Sequence, residues 1–335
     1  MKKLKKLSLN FVLIIFFISL YAQNSYSSSS EEIWKCGTIA PPGSGYEKVI
    51  KKITSEIEKI LNVKIKVYYA NSFKDEIDIA EGMKSGKLDC GMLTGNGLGY
   101  LSIYTRVLEL PFLIKSKNEW NKIRNSITTI IANTMRNEGW ELISLFGVGF
   151  VHFLSKYPIE RIQDFSDRTF WVWDTNPIQV ESFSVLKTFG TKPLEVSPLD
   201  LLSFSDKIDI IWGPIYAFVA YGWYRNFKYI MFPPVLYFPG GVVVSSEKIK
   251  GYSQEQLSKI RDIFLKEEIT EELEILNEKA YEILIKSGIK RVEIKDVDKL
   301  EGAFKSQMYE SFKKYLPSWL MISVMEEVIK VRDIR

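Results

Sequence analysis

The stretch Ile33-Trp-Lys-Cys-Gly-Thr-Ile-Ala40, closed by the turn Pro41-Pro-Gly-Ser-Gly45, decides how the rest of the chain is read. An apolar run bounded by Pro and Gly is a strand signal. Ser44 and Glu47 then stand at capping-box spacing, and Tyr46, Val49, Ile50, Ile53, Ile57 and Ile60 recur at helical spacing up to Asn62. Val63-Lys-Ile-Lys-Val-Tyr-Tyr69 alternates as a second strand, residues 77–85 read as a short helix, and Leu88-Asp-Cys-Gly-Met-Leu93 reads as a third strand. Strand, helix, strand, helix, strand over about sixty residues specifies an α/β fold with a parallel sheet and helices on its faces. Ligands of such sheets sit beyond the carboxyl ends of the strands, so the loops at 41–45, 70–73 and 94–99 are expected to converge on one site. The Gly95-Asn-Gly-Leu-Gly99 loop lacks the Lys-Ser/Thr pair of a phosphate loop and reads as a tight turn.

Further along, Trp120 to Asn137 is helical in pattern, and Leu142 to Phe153 is apolar enough for a buried strand. A second α/β unit begins at Thr169-Phe-Trp-Val-Trp-Asp174. It continues through a helix around 178–189, a strand at 192–196, a helix start after Ser197-Pro198 and a strand at Lys207-Ile-Asp-Ile-Ile-Trp212. Two such units in series mean two lobes. Tyr237 to Ser245 is a further strand whose Gly240-Gly241 pair suggests a bulge or a bend between lobes. Ser253 and Gln256 open a long helical region to Ser287, with its charges on a solvated face. A short strand at 290–294 and a helical end interrupted by Pro317 follow.

The formal charge of +4 is carried by the leader. Lys2, Lys3, Lys5 and Lys6 precede an uncharged stretch from Ser8 to Ser30, centred on Phe11-Val-Leu-Ile-Ile-Phe-Phe-Ile-Ser-Leu20 and followed by the small residue Ala22. That is the layout of a secretory signal peptide. The stretch is short for a permanent bilayer span, and no Cys follows it to carry a lipid. The 45 basic residues less those four lysines equal the 41 acidic ones, so the mature chain is neutral and a charge-driven nucleic-acid binder is excluded. No later segment reaches about 18 apolar residues without a charge, so the mature protein is expected to be soluble.

Hydrolytic or metal chemistry is poorly supplied. His152 is the one histidine, set between Val151 and Phe153, and reads as a satisfied buried imidazole. Cys36 and Cys90 fall in strands one and three, which are neighbours in a sheet ordered 2-1-3, and a disulfide or two buried thiols fit equally. Aromatic residues are the richer signal: twelve lie between Phe204 and Phe238, against about five expected from the chain average of 13%. Most suit a core, and some suit the wall of an apolar cleft. Trp171 and Trp173 alternate with Phe170 and Val172, so the two tryptophans share one face of their strand.

The order of these segments resembles the DctP-type periplasmic substrate-binding proteins of TRAP transporters, from Ile33 to about Lys314. The matching pieces are Thr38-Ile-Ala-Pro-Pro42, Gly82-Met-Lys-Ser-Gly-Lys-Leu-Asp89, Leu110-Pro-Phe-Leu113, Pro158-Ile159 with Asp164-Phe165, the strand at Thr169 to Trp173, Asp209, and Ser253 with Gln256. The resemblance implies two α/β lobes joined by hinge strands, with long helices packing across both. It also implies closure on a small organic anion that is delivered to an ion-driven permease. Two positions depart from that pattern: Trp171 stands where the family carries the Arg that pairs with the ligand carboxylate, and Val151 matches a second frequent Arg. An indole or an isopropyl group cannot replace a guanidinium fork, and Arg168 should face the other side of the strand, so a neutral or largely apolar ligand is expected.

The expected organisation is a signal peptide at 1–22, a polar tether at 23–31, and a first lobe at 32–150 completed by about 239–265. A second lobe at 151–238 is completed by part of 266–314, and a C-terminal helix occupies 315–335. The expected ligand-binding residues are Trp171, Trp173, Asn176, Trp212, Tyr216, Tyr237, Asn96, Ser44 and Val151. No catalytic residue, metal or cofactor is expected. The function read is capture of a small molecule in the periplasm for a TRAP-type permease; the alternative is a periplasmic carrier or chaperone for a hydrophobic small molecule that works without one. The leader reading has a direct test: N-terminal sequencing of exported protein should find a start at or close to Gln23, and an intact Met1 in that pool would contradict it.

Overall fold

The computed structural model describes residues 32–173, 180 and 183–332. The leader and tether, Asn176, and the start of the helix expected at 178–189 lie outside the described residues. β1 (Ile33–Thr38), α1 (Gly45–Leu61), β2 (Lys64–Tyr68), α2 (Glu76–Lys84) and β3 (Cys90–Thr94) form the parallel unit read from the sequence. Next come α3 (Gly95–Leu101), α4 (Lys117–Asn137) and the long strand β4 (Trp140–Ser155). β5 (Thr169–Val172), β6 (Lys192–Glu195), β7 (Ile210–Pro214), α5 (Ile215–Ala220) and β8 (Tyr229–Phe232) build the second unit. β9 (Leu236–Ser245) leads through α6 (Ser246–Ile249) to α7 (Gln254–Leu265) and α8 (Glu267–Lys286). β10 (Lys290–Glu293), α9 (Val297–Tyr315) and α10 (Ser318–Arg332) complete the described chain. Among the described residues, no helix is long and apolar enough to cross a membrane.

The strands join in the order β2-β1-β3-β9-β4-β7-β5-β6, with β8 on β4 and β10 on β8. The outer neighbours are parallel, β1 with β2 and β3, and β5 with β6 and β7. β4 and β9 are antiparallel to their neighbours and to each other, which returns the chain between the two units. β4 pairs with β9 from Trp140 opposite Ser245 to Val151 opposite Leu236, and its last residues pair with β7, so one strand belongs to both lobes.

Side-chain alternation splits the first lobe into two cores. Val243, Leu93, Ile79 and Ile127 pack on one face of the sheet, and Val242, Val244, Met92, Trp34 and Phe264 on the other. The second lobe has its own core around Phe153, Phe165, Phe170, Ile210 and Ile211. α8 places Leu273 in the first lobe and Leu284 in the second, while α9 places Leu300 and Phe304 in the second and Phe312 in the first. These helices tie the lobes together by burying apolar surface in both, at about 25 cal/mol for each Å² removed from water.

Several local readings change. The long helix expected from Ser253 to Ser287 is two helices, broken at Lys266, which is extended at φ −58 and ψ 130. At 100° per residue, nine residues put Leu273 about half a turn from Phe264, so a straight helix would turn it away from the core that both share. The Ser253–Gln256 capping box forms both of its bonds, at 3.2 and 3.0 Å. At α1 only half forms: Ser44 Oγ accepts the Glu47 N–H, and the Glu47 carboxylate takes the Gly43 N–H instead. After Ser197-Pro198 a 3-10 segment, Leu201–Lys207, stands where an α-helix start was expected. Gly240 and Gly241 pair without a break; the register shifts lie in β4, at Leu142/Ser144 and Gly147/Gly149. A Cβ on Gly240 would lie 2.3 Å from the Phe146 ring, so this glycine makes room for an aromatic side chain rather than for a bend.

Cys36 and Cys90 are register partners across β1 and β3, with their Cα atoms 4.5 Å apart, and are disulfide-bonded. The bond closes a chain segment of 54 residues, whose freedom it removes from the unfolded state. Reducing it, or replacing both cysteines by Ala, should lower stability by about 2 to 5 kcal/mol while leaving the fold intact. Urea unfolding with and without reductant measures this, and an unchanged midpoint would contradict it.

Candidate functional site

A cavity of about 140 Å³ lies between the lobes, beside the β4–β9 pair. On the first-lobe side, the carboxyl ends of β1 and β3 supply Thr38 to Pro41 and Met92 to Thr94, and α1 adds Tyr46, Val49, Ile50 and Ile53. Phe146 and Val148 of β4, with Phe238 and Val242 of β9, form its spine. The second lobe contributes Trp171, Trp173, Trp212 to Pro214, Tyr221 and Trp223. Phe264, Ile269 and Leu273 extend the wall at the α7–α8 break.

The irregularity in β4 makes the spine. Gly149 has φ +137, a region open to glycine, and the register shift beside it takes the Val148 carbonyl off the ladder. That carbonyl accepts the Tyr46 O–H at 3.3 Å and the Asn277 Nδ2–H at 3.0 Å, so the bulge is satisfied by α1 and α8.

The indoles are packed on one another. Trp171 stacks with Trp212 at 5.3 Å between ring centroids and 24° between planes, lies 6.4 Å from Trp173, and meets Trp223 edge-on at 5.5 Å. The N–H of Trp171 donates to the Val196 carbonyl at 2.9 Å, and that of Trp212 to the Trp171 carbonyl at 3.2 Å. Phe170 points the other way, against Phe153 and Phe183.

Contacts cross the cleft directly. The Trp173 N–H donates to Asp75 Oδ2 at 2.9 Å, and Asp75 also accepts the Glu76 N–H as the N-cap of α2. The Tyr221 O–H donates to the Ile39 carbonyl at 2.6 Å, and the Gly45 N–H donates to the Tyr216 hydroxyl at 2.6 Å. The two lobes therefore stand closed on the cavity.

Among the described residues, Glu76 is the one carboxylate in the wall, and the wall holds no Lys or Arg. Glu76 Oε1 accepts the Thr94 N–H at 2.7 Å, and Oε2 accepts the Thr94 O–H at 2.8 Å and the Gly97 N–H at 2.7 Å. A carboxylate at that point satisfies the free N–H groups that open α3, which is why Gly95 to Leu101 is a helix and not the tight turn expected. Burial pushes the Glu76 carboxyl up to about 7, against the lowering effect of those three donors.

Of the residues expected from the sequence, Trp171, Trp173 and Trp212 line the cavity together. Tyr216 lies next to it, edge-on to Tyr46 at 4.3 Å, with its hydroxyl on Gly45. Ser44 is the N-cap of α1 and does not line the cavity. Asn96 is turned toward the buried Arg106–Glu109 pair instead: Arg106 donates to its Oδ1 at 3.5 Å and to its backbone carbonyl at 3.2 Å. Tyr237 turns into the first-lobe core against Trp120 and Phe150. Val151 is buried where β4 meets Pro214 and Leu236, outside the cavity. Arg168 stacks on the Tyr157 ring at 3.9 Å, away from the site as expected. The loops at 41–45 and 94–99 reach the cavity through Pro41 and Thr94, whereas 70–73 does not. Glu76, Tyr46, Tyr221 and Trp223 were not singled out as site residues. An acidic residue at a helix start ordinarily signals only a favourable charge for the helix dipole, which hides Glu76 in the sequence.

His152 is buried outside this cavity, with Nδ1 2.9 Å from the Met231 carbonyl. Burial lowers it to about 4, so it is neutral in the fold.

The family described as bacterial extracellular solute-binding protein, family 7 (DctP), matches residues 36–317. A solute-binding protein of Chromohalobacter salexigens is 26% identical over 144 residues, which cover 41% of this chain and 42% of that relative's length. A TRAP periplasmic solute-binding protein of C. salexigens with bound D-glucuronate superposes at a TM-score of 0.76 with 21% identity, covering 88% of this chain and 99% of that one. One from Desulfovibrio salexigens with bound orotic acid gives 0.79 and 17%, covering 90% and 100%. The sugar acid binding protein of Advenella mimigardefordensis in complex with galactonate gives 0.79 and 16%, covering 90% and 98%. These likenesses establish the two-lobe fold.

Glu76 and His152 act on stability in opposite directions. Glu76, raised in the fold to about 7, adds stability that is complete below its unfolded value near 4.5 and is lost as pH rises through 7. His152, lowered to about 4, adds stability present above 6.5 and lost as pH falls through 4. In Glu76→Gln the first slope should vanish, so relative to the variant the wild type should lose on the order of 3 kcal/mol between about pH 4.5 and 8. Denaturant unfolding across that range reads the difference, and parallel pH profiles for the two proteins would contradict it.

Proposed function

The chain belongs to family 7 of the bacterial extracellular solute-binding proteins, and from that premise we propose that it captures a small, largely apolar ligand between its lobes in the periplasm and delivers it to a TRAP-type membrane permease. The observation that carries the ligand reading is the wall itself: tryptophans and aliphatic side chains with one carboxylate and, among the described residues, no cation. A carboxylate ligand entering such a wall would lose its water without gaining a cationic partner, which costs several kcal/mol and would add repulsion from Glu76. An apolar body gains about 25 cal/mol for each Å² it buries, offset by the ordering cost of closure.

The lobes proposed are 32–150 with about 239–265, and 151–238 with part of 266–314, turning about β4 and β9. Separate packing of the two first-lobe cores and the second-lobe core, joined by that strand pair, supports this division. Closure would bring Trp173 to Asp75 and Tyr221 to the Ile39 carbonyl, and this closed form would be what the permease recognises.

Calorimetry with D-glucuronate tests the ligand reading. The wild type should give no binding tighter than about millimolar, and micromolar affinity for that acid would remove the basis of the proposal. For the small molecule released from gently purified protein, Trp171→Ala should weaken binding by about 2 kcal/mol or more. Trp171→Arg should weaken it as well and admit a carboxylate, whereas variants that lose stability with unchanged specificity would reduce Trp171 to a packing residue.

A further inference from the structure

The second lobe ends, on the side away from the cavity, in a row of cations. Its strands lie in the order β10-β8-β4-β7-β5-β6, and the residues at their cavity-distal ends are Lys290, Lys228, Lys156, Asp209, Arg168 and Lys192 in turn. Backbone bonds hold these ends side by side. The Lys290 N–H donates to the Lys228 carbonyl at 2.8 Å, the Lys228 N–H to Ser155 at 2.8 Å, the Lys156 N–H to Asp209 at 3.0 Å, and the Lys192 N–H to Arg168 at 2.8 Å. With about 4.8 Å between strands, the six ends span roughly 24 Å. The chain beyond residue 22 is formally neutral, so this row is an excess set by where the charges lie.

The acids near the row are mostly engaged. Asp209 Oδ2 accepts the Thr169 N–H at 2.9 Å, Asp167 pairs with Lys192 at 3.3 Å, Glu293 pairs with Arg291 at 2.6 Å, and Glu160 pairs with Lys295. Asp206 lies beside Lys156, whose Nζ donates to its backbone carbonyl at 2.9 Å. Among the described residues, Lys156, Arg168, Lys228 and Lys290 enter no ion pair. Lys228 and Lys290 are exposed. Aromatic rings lie among the cations: Arg168 sits 3.9 Å from the centroid of Tyr157 and Lys207 5.5 Å from that of Phe204. Tyr157 is 42% exposed, Phe204 36% and the nearby Leu202 42%.

We propose that this end of the second lobe docks on a membrane surface rich in anionic phospholipid, with the Lys and Arg heads among the headgroup phosphates and Tyr157 and Phe204 at the interface. A row of cations alone suits any polyanion, and the rings decide for lipid. Exposed aromatic side chains flanked by Lys and Arg fit the headgroup layer, where a ring meets the edge of the acyl region while its cation meets phosphate. An acidic protein segment would meet the lysines but give the rings no apolar layer to enter. Each cation near such a surface raises the partition by about five-fold, and salt screens the attraction. The inference is independent of what the cavity binds, because the cavity lies at the opposite ends of the same strands. A reversible hold of this kind keeps the protein at a membrane and leaves the cleft unobstructed.

Cosedimentation of the mature chain with vesicles tests this, using about 30% phosphatidylglycerol in phosphatidylcholine against phosphatidylcholine alone, at about 25 and about 300 mM salt. Partition onto the anionic vesicles should exceed that onto the neutral ones by at least about ten-fold at low salt, and should fall by about ten-fold or more at the higher salt. Lys228→Gln combined with Lys290→Gln should lower it by about twenty-fold. Lys48→Gln combined with Lys59→Gln changes the net charge equally at exposed positions of α1, in the first lobe, and should lower it by less than about three-fold. Phe204→Ser should weaken partition several-fold without changing its salt dependence. Equal partition onto neutral and anionic vesicles, or equal loss in the two lysine pairs, overturns the inference. Binding of poly-glutamate without partition onto vesicles would mark an acidic protein as the partner and overturn it as well.

Discussion

The antiparallel pairing of β4 with β9 is the constraint on which the molecule depends. Ten residues of β9 lie along the sixteen of β4, and both strands have a first-lobe part and a second-lobe part. A ladder so shared lets two separately packed cores face each other at a fixed separation, and the cavity occupies the space left beside it. The pair is not regular at the crossing point. Gly149 and the shifted register release the Val148 carbonyl, and Tyr46 and Asn277 take it up. Asn277 also accepts the Tyr216 N–H through Oδ1 at 3.2 Å, so one amide of α8 joins the bulge to the first helix after β7. Movement of one lobe against the other has to pass through these bonds.

Around that spine, the polar groups of the site have been assigned to structure. Indole and phenol donors that another protein could present to a ligand are turned to carbonyls and to Asp75 here, and the Glu76 carboxylate serves first as the cap of α3. Each assignment satisfies a group that would be expensive to bury alone. The combined effect, among the described residues, is a cleft of mostly apolar character with the Glu76 carboxylate in its wall. The architecture thus matches relatives solved with acids bound, while among the described residues the wall holds no Lys or Arg.

Residues whose environment is set by near neighbours were legible in the sequence. Periodicity located β1, α1, β2 and β3 to within a residue or two, because alternation and helical spacing respond directly to which face is buried. It also identified the shared face of Trp171 and Trp173 and the capping box at Ser253. The order of short motifs specified the family and, with it, the two-lobe fold. What the sequence by itself determined is therefore a chain of amphipathic elements, a closed family of topologies for them, and a second-lobe strand bearing two tryptophans on one face.

Only the tertiary structure decided where the elements end and what the site contains. The break at Lys266 has no local signal, since Lys and Glu favour helix; it exists because Phe264 and Leu273 must enter one core from positions half a turn apart. Gly95 to Leu101 is helical because a carboxylate from a segment twenty residues earlier caps it, and Asn96 and Tyr237 left the expected site because Arg106 and Trp120 hold them elsewhere. The disulfide likewise became definite only when β1 and β3 were in register. In each case the deciding contact joins residues far apart in the chain, and a hydrogen bond or a buried ring acts over a few ångströms of space, a separation that sequence spacing does not record.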